Sequence, residues 1–152
     1  MGQTLARSQS SPAAPRHKIG GSSLGLSVDS TQHLIRELRR GLSFRALEFL
    51  SAQSGIPVRE LASVIGIPER TLARRKVTGR LATGESERLL RISRIFEYAV
   101  GMFGGDVAGG VAWLRAPRRA LAGHAPLVYS ATELGAREVE NLIGQLEHGI
   151  FP

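Results

Sequence analysis

The chain has 152 residues, enough for one modest core or two small domains sharing an interface and too few for a large multidomain enzyme. It carries 20 basic and 13 acidic residues, a net charge of +7, and no cysteine, which excludes a disulfide framework and a thiolate metal site. No apolar run approaches the roughly 18 residues of a membrane span and the N-terminus lacks a hydrophobic signal core, so a cytoplasmic protein with no membrane partner is predicted.

The placement of charge says more than its total. Residues 1–27 carry +3, residues 28–80 carry +5, residues 81–116 carry 0 and residues 117–152 carry −1. The front half is therefore suited to an acidic partner, whereas the back half must find partners by shape and apolar area. Only Lys18 and Lys76 among the basic side chains are lysines. Arginine's planar fork suits phosphate and guanine edges, although an Arg-, Ala- and Gly-rich chain also arises from genomic base composition.

Residues 1–27 are rich in Ser, Gly, Pro and Ala. With so little to bury they are predicted to form a disordered arm, either a solvated tail or one whose Arg7, Arg16 and Lys18 brush nucleic acid. Helical spacing begins at Ser30 with Leu34, Ile35 and Leu38 and stops at Gly41. Ser43 is the expected N-cap of a second helix carrying Phe44, Leu47 and Leu50, which ends at Gly55. Two short helices follow in VRELASVIG and PERTLARRK, then the turn-rich connector VTGRLATG.

Thr83 is expected to cap a strongly amphipathic helix, with Glu85 and Glu87 in its first turn and a buried stripe of Leu89, Ile92, Phe96 and Ala99 running to Gly101. A weaker helix over 106–114 contains Gly109 and Gly110, each costing on the order of 1 kcal/mol relative to Ala, so it must rely on packing through Val107, Trp113 and Leu114. Residues 115–132 read as a loop with one helical turn after Pro126, and Ser130 with Glu133 has capping-box spacing. Val139, Leu142, Ile143 and Leu146 mark a last helix that Gly149 stops. No alternating strand pattern is present, so the predicted class is all-α.

The pair of short helices has the spacing of a helix-turn-helix. Gly66 supplies the positive φ that a sharp crossing needs, and Ala62 is small where the helices touch. Leu61, Ile65, Ile67 and Leu72 are the expected shared core. A proline inside a helix would cost about 3 kcal/mol but is harmless at its first position, so the second helix should begin at Pro68. With Leu72 inward, Arg70, Thr71, Arg74 and Arg75 are assigned to the opposite face. In such motifs the second helix enters the major groove and its early residues meet base edges. Arg70, Thr71 and Arg74 are the candidate base contacts, and Arg75, Lys76 and Arg80 the candidate phosphate contacts, with Arg59 and Arg45 adding backbone contacts. One short helix reads few base pairs, so a homodimer on a two-part site is expected.

Nothing in the sequence supports catalysis. His17, His33, His124 and His148 are dispersed and none has metal-ligand spacing; His148 reads as a cap favourable to the last helix dipole. No nucleophile elbow, phosphate-cradling GxxxxGK or strand-linked dinucleotide motif is present. The expectation is a non-enzyme without cofactor or metal.

From Gly66 onward the chain carries T-L-x-R-R at Thr71 to Arg75, E-S-x-R-L at Glu85 to Leu89, and W-L-x-x-P at Trp113 to Pro117. A-L-x-G-x-x-P-L at Ala120 to Leu127, T-x-x-G-A at Thr132 to Ala136 and H-G at His148 and Gly149 follow. In this order and spacing the chain resembles the Xre-type antitoxins with a MbcA/ParS/Xre toxin-binding domain, the antitoxin half of RES-type toxin–antitoxin pairs. The resemblance begins near Ser43. It departs at Arg118, where Asn is common, and at VYS over 128–130, where an acidic-leucine-leucine run is usual.

That resemblance implies a helix-turn-helix domain over 28–82 that represses its own operon. It also implies a helical toxin-binding domain over 83–152 that neutralises a co-encoded RES-domain toxin, one that destroys NAD. The implied toxin contacts are Arg118, Leu127, Tyr129, Thr132, His148, Ile150, Phe151 and Pro152, with the C-terminal segment covering the toxin's active-site entrance. The residues themselves allow two readings of Ile150 and Phe151: an apolar tip seated in a partner, or side chains folded back onto their own core. The alternative function is a stand-alone repressor with a ligand-sensing C-terminal domain, and a nucleic-acid enzyme is disfavoured for lack of an acidic cluster.

Overall fold

The computed structural model describes residues 21–149, and over these residues the fold is all-α. Helix α1 (Thr31–Arg40) starts where the Ser30 hydroxyl accepts the His33 N–H at 3.1 Å. Helix α2 (Phe44–Ser54) is capped by Ser43, as its sequence predicts. Helices α3 (Val58–Val64) and α4 (Glu69–Thr78) flank a turn in which Gly66 has φ of 74°. Pro68 is the N-cap of α4, one residue outside the helix. Helix α5 (Thr83–Met102) is the longest, followed by α6 (Val107–Arg115), α7 (Pro126–Tyr129) and α8 (Glu133–Glu147).

Helix α5 is the spine. It packs against α1, α2, α6 and α8, and Leu89, Ile92 and Ile95 along it are almost wholly buried. One contiguous core runs from Leu24 through Leu47, Leu61 and Leu89 to Val139 and Ile143, so segments 28–82 and 83–149 share their apolar interior through α5. The linker before α2 is tied to the connector before α5: the Phe44 N–H donates to the Gly79 carbonyl at 2.9 Å and the Leu81 N–H to the Leu42 carbonyl at 2.8 Å. A Cβ on Gly41 would lie 2.0 Å from the Leu81 carbonyl oxygen, which requires glycine there.

Several local expectations need correction. Residues 1–20 of the expected disordered arm lie outside the described residues, but residues 22–24 form a 3₁₀ turn with Leu24 only 2 % exposed. Ser22 and Ser23 hydroxyls and the Ser23 N–H all donate to the Glu97 carboxylate on α5, which gives this Ser/Gly-rich stretch the partners its composition did not advertise. Thr83 does not cap α5; its hydroxyl donates to the Arg39 carbonyl, while Glu85 accepts the Ala82 N–H at 3.0 Å. Ser130 donates to the Pro126 carbonyl, and Thr132 caps α8 by accepting the Gly135 N–H. Gly110 is explained by packing, because a Cβ there would come within 2.9 Å of the Val100 backbone where α6 crosses α5.

Candidate functional site

The short α3–α4 crossing follows from its small and apolar residues. Leu61, Ala62, Ile65 and Ile67 are buried, and the Ile67 N–H donates to the Ala62 carbonyl at 2.8 Å. Leu72 is only partly buried, and no residue of α4 is fully buried. Leu72 lines a cleft of about 370 Å³ with Phe44, Val58 and Ala73, and exposed Lys76 stands on its rim.

Helix geometry sorts the basic residues of α4. At about 100° per residue, Arg70 and Arg74 project roughly 160° away from Leu72. Both are exposed, and Thr71 beside them is half-buried. Arg75 lies only about 60° from Leu72, on the inward side. The structure therefore corrects its placement on the outer face: its Nε donates to both Glu85 carboxylate oxygens, at 2.7 and 3.2 Å. Arg80 is likewise engaged, donating to the Gly41 carbonyl at 2.8 Å. Arg59 pairs with Glu69 at the surface, and Arg45 is exposed on the first turn of α2. Val77, 88 % exposed and about 140° from Leu72, extends the outer ridge. No apolar periodicity points to it, although its spacing of three from Arg74 does.

Glu85 is the ionisable group most completely enclosed here, with 7 % exposure. Burial would raise its pKa, but the Arg75 hydrogen bond, the Ala82 N–H and the charges of Arg75 and Arg88 outweigh this and hold the carboxyl below its ordinary value.

In the back half the expected contact residues divide. The Arg118 guanidinium sits 5.2 Å from the Trp113 ring centroid and donates to the Trp113 carbonyl. The Tyr129 hydroxyl donates to Glu138 at 2.7 Å; that hydrogen bond, then burial, then the Glu138 charge push its pKa up. His148 is the exposed C-cap of α8. Leu127, expected as a toxin contact, is instead a core residue at 3 % exposure, because α7 folds it inward. Thr132 is occupied in capping α8. Ile150, Phe151 and Pro152 lie outside the described residues. Sequence reasoning missed Val128 and Leu134, which are 58 % and 76 % exposed beside the α7–α8 turn. Leu134 stands five residues before the buried Val139, off the stripe that Val139, Leu142 and Leu146 define, which is the available signal.

A helix-turn-helix with an outward arginine ridge, joined by one long helix to a second helical unit, places this molecule in the class of helix-turn-helix proteins with an appended helical domain. Residues 33–94 match the antitoxin Xre-like helix-turn-helix domain, and residues 99–149 match the antitoxin Xre/MbcA/ParS C-terminal toxin-binding domain. The chain is 36 % identical over 129 residues to an Antitoxin Xre of Yersinia enterocolitica, covering 84 % of this chain and 87 % of that one. It is 33 % identical over 141 residues to an Antitoxin Xre of Photorhabdus laumondii, covering 90 % and 95 %. The chain belongs to the antitoxin Xre family, whose members regulate and bind rather than catalyse. Among the described residues no helix is long and apolar enough to cross a membrane.

Proposed function

We propose that this chain is the antitoxin of a type II toxin–antitoxin pair, acting in the cytoplasm. It binds and neutralises a co-encoded RES-domain, NAD-degrading toxin and represses its own operon as a homodimer on operator DNA. The observation that carries the reading is the joining, through α5, of a helix-turn-helix with an open arginine ridge to a toxin-binding domain. Arg70, Thr71 and Arg74 meet base edges, and exposed Lys76 and Arg59 meet phosphates. Arg59 exchanges Glu69 for a phosphate at little cost, since both partners are exposed. Arg75 and Arg80, engaged inside the motif, hold it together. On the toxin side Arg118, Tyr129 and His148, with the tail Ile150, Phe151 and Pro152, form the contact surface. Val128 and Leu134 add apolar area, Leu127 supports it from beneath, and exposed Thr132 fixes the start of α8 beside it.

The test is co-expression with the product of the adjacent gene. The full chain is expected to co-purify with it, restore growth and shift a DNA fragment from upstream of the operon. A chain ending at His148 is expected to keep the DNA shift and lose neutralisation. Failure to capture the neighbouring product, with operator affinity that instead responds to a metabolite, would replace this reading with the ligand-sensing repressor.

A further inference from the structure

The sequence E-S-x-R-L at the start of α5 makes a set of polar links to α4, to the end of α3, to the linker before α2 and to the connector before α5 itself. Glu85 receives Arg75 of α4 through both carboxylate oxygens and takes the Ala82 N–H as well. The Ser86 hydroxyl accepts the Leu42 N–H at 2.8 Å and donates to the Ala82 carbonyl at 2.8 Å, fixing the linker before α2. Arg88 Nε donates at 2.6 Å to the carbonyl of Ile65, the residue that ends α3. Leu89, fully buried, seats the same turn in the core.

Helix α4 needs such links because none of its residues is fully buried and Leu72 covers only part of its inner side. An amphipathic helix held by little apolar area opens locally unless other interactions fix it. The Arg75–Glu85 pair is well placed to do so: the Glu85 side chain is 8 % exposed and that of Arg75 24 %, so water screens the pair weakly.

We infer that the first turns of α5 form a bracket that sets the position of α4, with Glu85 and Arg88 as positioning residues for DNA reading; this rests on α4 being the DNA-reading helix. Glu85 touches no DNA itself. It holds Arg75 inward, so that Arg70 and Arg74 are presented from a fixed helix. Arg88 fixes the α3–α4 turn from the other side, with its guanidinium 3.9 Å from where a Gly66 Cβ would stand.

The experiment compares full-length Glu85→Gln, Arg75→Gln, the double variant and the contact control Arg74→Ala. Amide hydrogen exchange is measured without DNA, alongside affinity for the upstream operon fragment. Glu85→Gln is expected to speed exchange over 71–78 by about tenfold or more while leaving unchanged those amides of α6 and α8 that exchange through their own local openings, since the opening of α4 is local. The double variant is expected to exchange no faster than the faster single one, the signature of two groups acting through each other. Operator affinity of Glu85→Gln is expected to fall by about tenfold, the consequence of a displaced reading helix. Arg74→Ala is expected to lose affinity with exchange unchanged.

Unchanged exchange in α4 overturns the bracket, as does faster exchange spread evenly over α4 and α8. Tighter DNA binding by Glu85→Gln also overturns it, because released Arg75 would then be serving as a phosphate contact. If no variant, nor the parent chain, binds DNA while α4 exchange still rises, the bracket stands and DNA reading falls.

Discussion

Helices α4 and α8 both carry an amphipathic pattern, yet they are held by different forces. Helix α8 buries Gly135, Ala136, Val139, Leu142 and Ile143 against the rest of the core. Full burial of side chains such as Val139 and Ile143 contributes about 1.5–3 kcal/mol each. Helix α4 buries no residue fully and depends on Arg75 meeting Glu85, on Arg88 meeting the end of α3, and on the backbone link from Phe44 to Gly79. One small protein thereby separates two tasks. Apolar burial carries most of the toxin-binding unit, with Arg91–Glu133 and Arg94–Glu140 adding ion pairs between α5 and α8, whereas α4 relies mainly on polar links and keeps its remaining surface cationic and free for an acidic partner.

The largest expected effect tests what the two regions share. Leu89 is fully buried in α5, between the bracket and the core. Leu89→Ala should cost about 3 kcal/mol, read from urea unfolding, and should weaken DNA binding and toxin binding together. Loss of one activity alone would mean that the two halves do not share α5 as a structural unit.

Arg74→Ala should separate the regions. The side chain is exposed and projects away from Leu72, so stability should stay within about 0.5 kcal/mol of the parent. Specific operator binding should weaken by about 1–3 kcal/mol in a titration, with neutralisation intact. Equal loss of both activities would point to misfolding.

The next effect is smaller and depends on pH. Burial works to raise the Glu85 pKa, but Arg75, the Ala82 N–H and the Arg88 charge together lower it in the folded state. A carboxylate with a depressed folded pKa stabilises the fold above its unfolded value near 4.5 and loses that contribution as pH falls through the folded value. At neutral pH, Glu85→Gln should therefore be less stable than the parent by about 1–2 kcal/mol. The gap should close as unfolding curves are repeated from about pH 5 downward. A gap that persists at low pH would assign the loss to packing instead of charge.

These regions also differ in how far the sequence disclosed them. Apolar spacing reports burial directly, so the stripes Leu89, Ile92, Phe96 and Val139, Leu142, Ile143 were legible, as was the turn at Gly66 between Ala62 and Ile67. Polar links between segments leave no periodic trace. Arg75 could be placed inward from its distance of three residues to Leu72, yet its partner ten residues away depended on how the connector folds back. Leu127 is buried because a one-turn helix closes over the core, and such a turn is too short for any periodicity to declare its inner side. Leu24 escaped for the opposite reason: it and Leu26 show no periodicity in a Ser/Gly-rich stretch, and Glu97, far along the chain, receives the donors of Ser22 and Ser23 beside them.

The smallest expected effect lies at the rim of the reading surface. Arg59 and Glu69 form a pair with side chains 76 % and 77 % exposed, so solvent and salt screen it. Arg59→Gln should change stability by less than about 0.5 kcal/mol. If Arg59 trades Glu69 for a phosphate on binding, the same substitution should reduce the slope of log affinity against log salt by about one, uniformly across DNA sequences. A salt slope equal to that of the parent would remove Arg59 from the interface and leave the cationic surface to Arg70, Arg74 and Lys76 on α4. The recognition helix would then contact DNA without help from the helix before it.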